Sequence, residues 1–195
     1  MERQFVMNTL QFKLCVLALM ANVLCAPLHA ETWRSVPDQS QLAFIANYEG
    51  AEAFGQFKRF DVLVSFDRAS LTFRSLLVDV EISSANMDNP EIDETIGQTE
   101  WFNIKAFPRA QFRSDQVRSV KGSEYVAKGI VSIKGVNKSV SIPFRWRSYG
   151  QDAKMTGAVI LSRVDFGIGS GEWAADSPIG HAVKVRFDIT LKAQR

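Results

Sequence analysis

The chain of 195 residues is poor in the side chains on which most catalytic and metal chemistry depends. It has two cysteines and two histidines, and Cys15, Cys25 and His29 all fall within the first thirty residues. From Glu31 to Arg195 there is no cysteine and a single histidine, His181. For that stretch a Cys-His pair, a multi-histidine zinc site and a Ser-His-Asp triad built without His181 are excluded. Disulfide staples are excluded too, so the 165 residues from Glu31 onward must hold together by burial alone, which this length allows. Charge of one sign is also lacking. Over the same stretch 21 basic residues face 20 acidic ones with no basic run, which argues against a nucleic-acid surface or an electrostatic membrane anchor. No linker, internal repeat or low-complexity segment divides residues 31–195, so they are read as one domain.

Residues 1–30 are set apart before the fold is considered. Arg3 and Lys13 give a weakly basic start, Leu14 to Leu24 an apolar run broken by Asn22, and Leu28-His29-Ala30 a small residue ahead of Glu31. This predicts a secretory signal peptide over residues 1–30. The run is shorter than the ~20 apolar residues of a membrane span. Leu24 before Cys25 is a poor match to a lipidation site. A cysteine-free exported domain points to a Gram-negative periplasm.

What the chain does have is alternation. His181-Ala-Val-Lys-Val-Arg-Phe-Asp-Ile-Thr-Leu-Lys192 alternates apolar and polar without a fault, the signature of a strand with one sheltered face. Similar patterns predict strands at 41–48, 54–66, 73–84, 109–120, 124–133, 138–147, 153–163 and 181–193, eight in all. Glycine-bearing gaps at 121–123, 134–137 and 148–152 read as hairpins, so neighbours are mostly antiparallel. The fold class is all-β, an up-and-down barrel or a sandwich. Between the third and fourth strands, Asn89-Pro90-Glu91-Ile92-Asp93-Glu94-Thr95-Ile96 predicts one short helix, with an N-cap, proline at the first position and acids in the first turn. Ile92 and Ile96, with Trp101 and Phe102, are expected on its buried face, and Pro108 is expected to stop any helical continuation.

Candidate reactive groups are few. Asp79 and Glu81 lie on the polar side of an alternation opposite Val78, Val80 and Ile82, which makes them surface residues before acid-base candidates. His181 opens a strand with no partner motif and reads as a histidine facing water. Asp88, Glu91, Asp93 and Glu94 lack the glycine and oxygen spacing of a calcium loop. Gly167-Ile-Gly-Ser-Gly171 lacks the GK[ST] ending of a phosphate loop. Large apolar side chains, by contrast, are plentiful: 12 phenylalanines and four tryptophans lie beyond residue 30. They either fill a core or line a pocket, because small eight-stranded barrels are wide enough to hold one small ligand.

Several stretches resemble the YceI-like family of exported lipocalin-like proteins over essentially the whole of residues 31–195. They are Gly55-Gln56-Phe57 with Phe60 and Phe66-Asp67; Glu100-Trp101-Phe102-Asn103, then Phe107-Pro108-Arg109-Ala110-Gln111-Phe112 with Ser114; Gly129 to Val136; and Arg163-Val164-Asp165-Phe166-Gly167-Ile168-Gly169. Gly171-Glu172-Trp173 ahead of Val183-Lys184-Val185 resembles one branch of the family. The resemblance implies an eight-stranded antiparallel lipocalin-like barrel whose apolar pore holds an isoprenoid lipid, a quinone or a similar long-chain amphiphile, without catalysis or a catalytic cofactor. It implies ligand-binding roles for Phe44, Phe57, Val78, Val80, Ile92, Ile96, Trp101, Phe102, Phe112, Ile142, Phe144, Val159, Leu161, Phe166, Val183 and Val185. Arg163, Asp165 and Trp173 are expected to shape the mouth or tie down the loop from Val164 to Gly180, the first two through a salt link. Transient membrane contact and a homodimer are further expectations. Two departures, at Ser83–Asp93 and at Asn47-Tyr48 where many members carry histidine, fall near the expected mouth. The rival readings are an envelope enzyme using Asp or Glu chemistry and an interaction module with a filled barrel.

Overall fold

The computed structural model describes residues 30–194, and the expectations placed on the leader, with Cys15, Cys25 and His29, lie outside the described residues. Eleven strand segments occur, β1 (Glu31–Ser35), β2 (Gln41–Tyr48), β3 (Ala51–Phe57), β4 (Phe60–Asp67), β5 (Thr72–Glu81), β6 (Ala85–Asn86), β7 (Arg109–Lys121), β8 (Glu124–Ile133), β9 (Val136–Tyr149), β10 (Asp152–Ser162) and β11 (Ala182–Ala193). All pairings are antiparallel. The first six segments are three bent strands, β1 with β2, β3 with β4, and β5 with β6, and with β7 to β11 they form a closed eight-stranded barrel. The β1–β11 pairing closes the ring and leaves only the two-residue β6 with an unpaired side, which decides between the barrel and the sandwich.

The bends have local causes. Pro37 cannot donate to a ladder, and a 3-10 turn at Pro37–Gln39 separates β1 from β2. Ser84 pins the other two bends at one level: its carbonyl accepts Lys58 N–H at 3.0 Å and its hydroxyl accepts Arg59 N–H at 2.9 Å. The strand expected at 54–66 is therefore broken at Lys58-Arg59, and that expected at 73–84 passes into a 3-10 turn at Ile82–Ser84. The sequence reading missed β1 altogether. It is five residues long, too short for alternation to show, yet Trp33 is fully buried and the strand closes the barrel between β4 and β11.

The 134–137 hairpin is tighter than expected. Ile133 pairs directly with Val136, and Lys134 and Gly135 both take positive φ, at 49° and 76°, as a type I′ turn requires. The one helix described, α1 (Pro90–Ile96), begins where expected, with the Asn89 carbonyl oxygen accepting Glu91 N–H at 3.1 Å and Ile92 N–H at 3.4 Å. It ends at Gly97, eleven residues before Pro108, which instead leads into β7. Ile92 is 41% exposed rather than buried, a point that matters at the cavity mouth.

Candidate functional site

The inward faces of the strands divide the barrel into two parts. At the end holding the β7–β8 turn, six aromatics interlock. Phe73 contacts Phe66 at 4.7 Å, Tyr125 at 4.9 Å, Trp146 at 5.3 Å and Phe144 at 5.5 Å between ring centres, and Trp33 stands edge-on to Trp146 at 5.6 Å. All six are buried and leave this end solid. Toward the end holding α1 the barrel is hollow, with a cavity of about 630 Å³ whose floor is set by Val62, Leu76, Phe144, Met155 and Ile189.

Glycine helps make this space. Phe44 pairs with Gly55 across β2 and β3, and Phe187 with Gly157 across β11 and β10. A Cβ at Gly55 would collide with the Phe44 ring, and one at Gly157 with the Phe187 ring and, at 2.6 Å, the Pro143 carbonyl. Each phenyl ring therefore lies flat against the wall instead of crossing the lumen.

All sixteen of the residues singled out from the sequence lie on the wall of this one cavity. Phe44, Val159, Val183 and Val185 come from the β10–β11–β2 wall, Val78, Val80, Phe112, Ile142 and Phe144 from the wall running from β5 to β9, and Ile92 and Ile96 from α1. Trp101 and Phe166 cap the top with Trp173, whose ring lies 5.7 Å from that of Trp101. The sequence reading missed Leu42, Ala46, Tyr48, Ala53, Met87 and Phe187, among others. Alternation carried the signal for Leu42, Ala46 and Phe187, whereas Met87 lies outside any periodic segment.

Two of the lining residues are charged, Glu91 at the exposed rim and Arg163 under the cap. Arg163 is 4% exposed, and all its donors are taken by backbone carbonyls: Nε donates to Gly180 at 3.1 Å, Nη1 to Ile168 at 3.0 Å and Gly169 at 3.1 Å, and Nη2 to Ala175 and Ile179 at 2.8 Å each. Burial lowers its pKa, partly countered by Asp176. The expected salt link to Asp165 is replaced by this carbonyl cage, because the loop from Val164 to Gly180 folds back over the guanidinium. The loop is also held to the end of β2 and the turn after it, where Glu49 N–H donates to Pro178 O and Gly180 N–H to Asn47 O. His181 belongs to the same clasp rather than to open water. Its Nε2 lies 2.8 Å from the Ala174 carbonyl, its Nδ1 3.6 Å from Asp176, and it does not line the cavity.

Asp79 and Glu81 face outward, as the alternation implied. Burial pushes Asp79 up, but hydrogen bonds from Arg109 and Gln111 bring it below its ordinary value. The Arg59 hydrogen bond at 2.6 Å, with that of Ser83 at 2.8 Å, brings Glu81 down to about 2. Both are held ionised, and neither touches the cavity. Among the described residues no cluster of three His, Cys, Asp or Glu side chains is arranged to hold a metal ion.

With this geometry established, likenesses to known proteins become informative. A UPF0312 protein of Azotobacter vinelandii is 31% identical over 121 residues, 59% of this chain and 63% of its own length. Three such relatives are covered over 51% to 63% of their length. Burkholderia cenocepacia BcnA superposes with a TM-score of 0.77 at 24% identity, over 80% of this chain and 98% of that one. A polyisoprenoid binding domain from Saccharophagus degradans, implicated in plant cell wall breakdown, superposes with a TM-score of 0.66 at 10% identity, over 85% and 99%. At such identities these two structures speak to the fold. The YceI-like domain matches residues 33–191, from the closing strand β1 through Leu191 of β11, and the chain accordingly belongs to the YceI-like family.

Proposed function

We propose that this protein is a non-catalytic periplasmic carrier or sequestering protein for an isoprenoid lipid, a polyisoprenoid or a quinone, held in the hollow half of the barrel. The observation that carries the reading is the cavity itself. Its volume of about 630 Å³ falls within the ~300–1,000 Å³ of ligand sites, and its wall is almost wholly aliphatic and aromatic. Each methylene taken out of water there contributes ~0.8 kcal/mol, so a long hydrocarbon chain binds without a charged anchor. The polyisoprenoid binding of the Saccharophagus domain supports the choice of ligand class. Exposed apolar side chains at the rim, Tyr48 at 48% and Ile92 at 41%, suit brief contact with a membrane while the lipid is exchanged.

The enzymatic rival calls for a cavity carboxylate with a raised pKa. Asp67, Asp79 and Glu81 are displaced downward and lie outside the cavity, and the carboxylate that does line it, Glu91, stands at the exposed rim. The test is organic extraction of the protein purified from its native periplasm, followed by mass spectrometry. A stoichiometric isoprenoid is expected. An empty protein that also takes up no isoprenoid in vitro would end the carrier reading.

A further inference from the structure

Resting on the carrier reading, the charges around the cavity define its ligand more narrowly. We propose that the site accepts isoprenoids with an uncharged head group and discriminates against phosphorylated prenols.

A prenyl phosphate has two ways to enter. Head first, its phosphate would leave water for an apolar interior, which is tolerable only against a free cation or a set of donors. Arg163 is the one basic residue on the wall, and a guanidinium has five N–H donors. The cap carbonyls of Gly180, Ile168, Gly169, Ala175 and Ile179 occupy all five. Turning this group toward a phosphate would strip the loop of its anchor.

Chain first, the phosphate would stay at the rim, and the rim is acidic. Tyr48 and Ala53 on one side and Met87, Glu91, Ile92 and Thr95 on the other line the cavity here. The segments that carry them, 46–53 and 87–97, contain Glu49, Glu52, Asp88, Glu91, Asp93 and Glu94 and no lysine, arginine or histidine. The α1 N-terminus offers no anion site, because the Asn89 side chain covers its amides. Of the bases elsewhere on this half, Arg59 pairs with Glu81 at 2.6 Å, Arg109 pairs with Asp79 and Lys134 donates to the Gly167 carbonyl at 2.7 Å, while Lys58, Lys105 and Lys184 do not line the cavity. A phosphate at the mouth meets the net negative charge of these two segments, which added salt screens. A quinone ring or a free hydroxyl meets no such field.

The experiment uses the delipidated protein with geranylgeraniol and geranylgeranyl monophosphate, monitored by the fluorescence of the wall residues Trp101 and Trp173 and checked by native mass spectrometry. At low ionic strength the alcohol is expected to load and the phosphate to bind roughly tenfold or more weakly, with the gap shrinking as salt is added. Glu52→Lys with Glu94→Lys, both at exposed positions that do not line the cavity, should narrow the gap while leaving uptake of the alcohol within about twofold. Equal or tighter binding of the phosphate would overturn the inference and leave the carrier reading standing. Failure of both compounds to load would overturn the carrier reading and this inference with it.

Discussion

One strand passes through two interiors. On β11, Ile189 and Leu191 are 1% and 0% exposed, while Val183, Val185 and Phe187, on the same face a few residues earlier, are only half-buried. Leu191 meets the aromatic plug, Ile189 stands at the floor where plug and cavity join, and the upper three meet the cavity. Period-two alternation is unbroken across the boundary, because it records that a face is withheld from bulk water and not what lies against it. The difference comes from side-chain volume on the strands opposite. Indoles and phenyls from β1, β4, β5, β8 and β9 converge below. Above, glycine and alanine stand among the wall residues, and the rings there fold flat.

The strongest way to break this comparison is to remove matter from each half in turn. Phe73 sits at the centre of the plug, so Phe73→Ala should cost about 3–5 kcal/mol, on the order of 10 °C in Tm. Val78→Ala, on a wall that already faces empty space, should cost about 1 kcal/mol or less. Equal losses in thermal melts of the ligand-free protein would mean that the two halves are packed alike.

Next in size is the cap. Arg163→Lys keeps the charge but leaves three donors for five carbonyls, and buried acceptors without partners cost about 2 kcal/mol in all. Amide exchange should quicken across residues 164–180 while the plug strands stay protected. Uniform acceleration throughout the barrel would show that the loop is not a separable lid.

Much of this was legible in the sequence. Eight strands, their antiparallel order and the short helix with its Asn89 cap derive from periodicity, turn glycines and a proline, which are local signals, whereas the wall positions were implied by the resemblance to the YceI-like family. What escaped was non-local. The strand β1 is defined by pairing with β4 and β11, and the bends at Lys58-Arg59 and Ile82–Ser84 by one serine reaching across strands. The occupation of Arg163 by five carbonyls depends on a loop folding back, which no spacing of charges reveals. The hollow was likewise invisible, since Val185 and Leu191 look alike in a pattern of apolar and polar letters.

A smaller effect on stability, with a large one on uptake, is expected when matter is added. Val185 pairs with Val159 and Phe44 inside the cavity. Overpacking a filled core typically costs ~1–3 kcal/mol, but Val185→Trp has space to occupy, so the ligand-free variant should melt near the parent. Its uptake of a long-chain isoprenoid should fall sharply, and Arg186→Glu on the outer face should change neither property. A Trp variant that melts many degrees lower would mean that the cavity is closed in solution.

The smallest effect concerns the outer wall of the hollow half, where ion pairs lie over the small buried cluster of Val80, Ile82 and Ala110. Glu81, bonded by Arg59, has its pKa lowered from 4.5 to about 2. A carboxylate with a depressed folded-state pKa favours the fold above its unfolded value, and that contribution is lost as the pH falls through the folded one. The Glu81 contribution is therefore complete above about pH 4.5 and fades between there and about 2. The Glu81 side chain is 34% exposed and that of Arg59 59%, so screening keeps the effect modest. Within that window amide protection should decline at Val80 and Ala110, which pair across the β5–β7 boundary beside it, before it declines at Phe73 or Tyr125 in the plug. Glu81→Gln should start slightly less stable at neutral pH and show a shallower loss of Tm on acidification. Parallel acid profiles for parent and variant would mean that the pair adds nothing to stability.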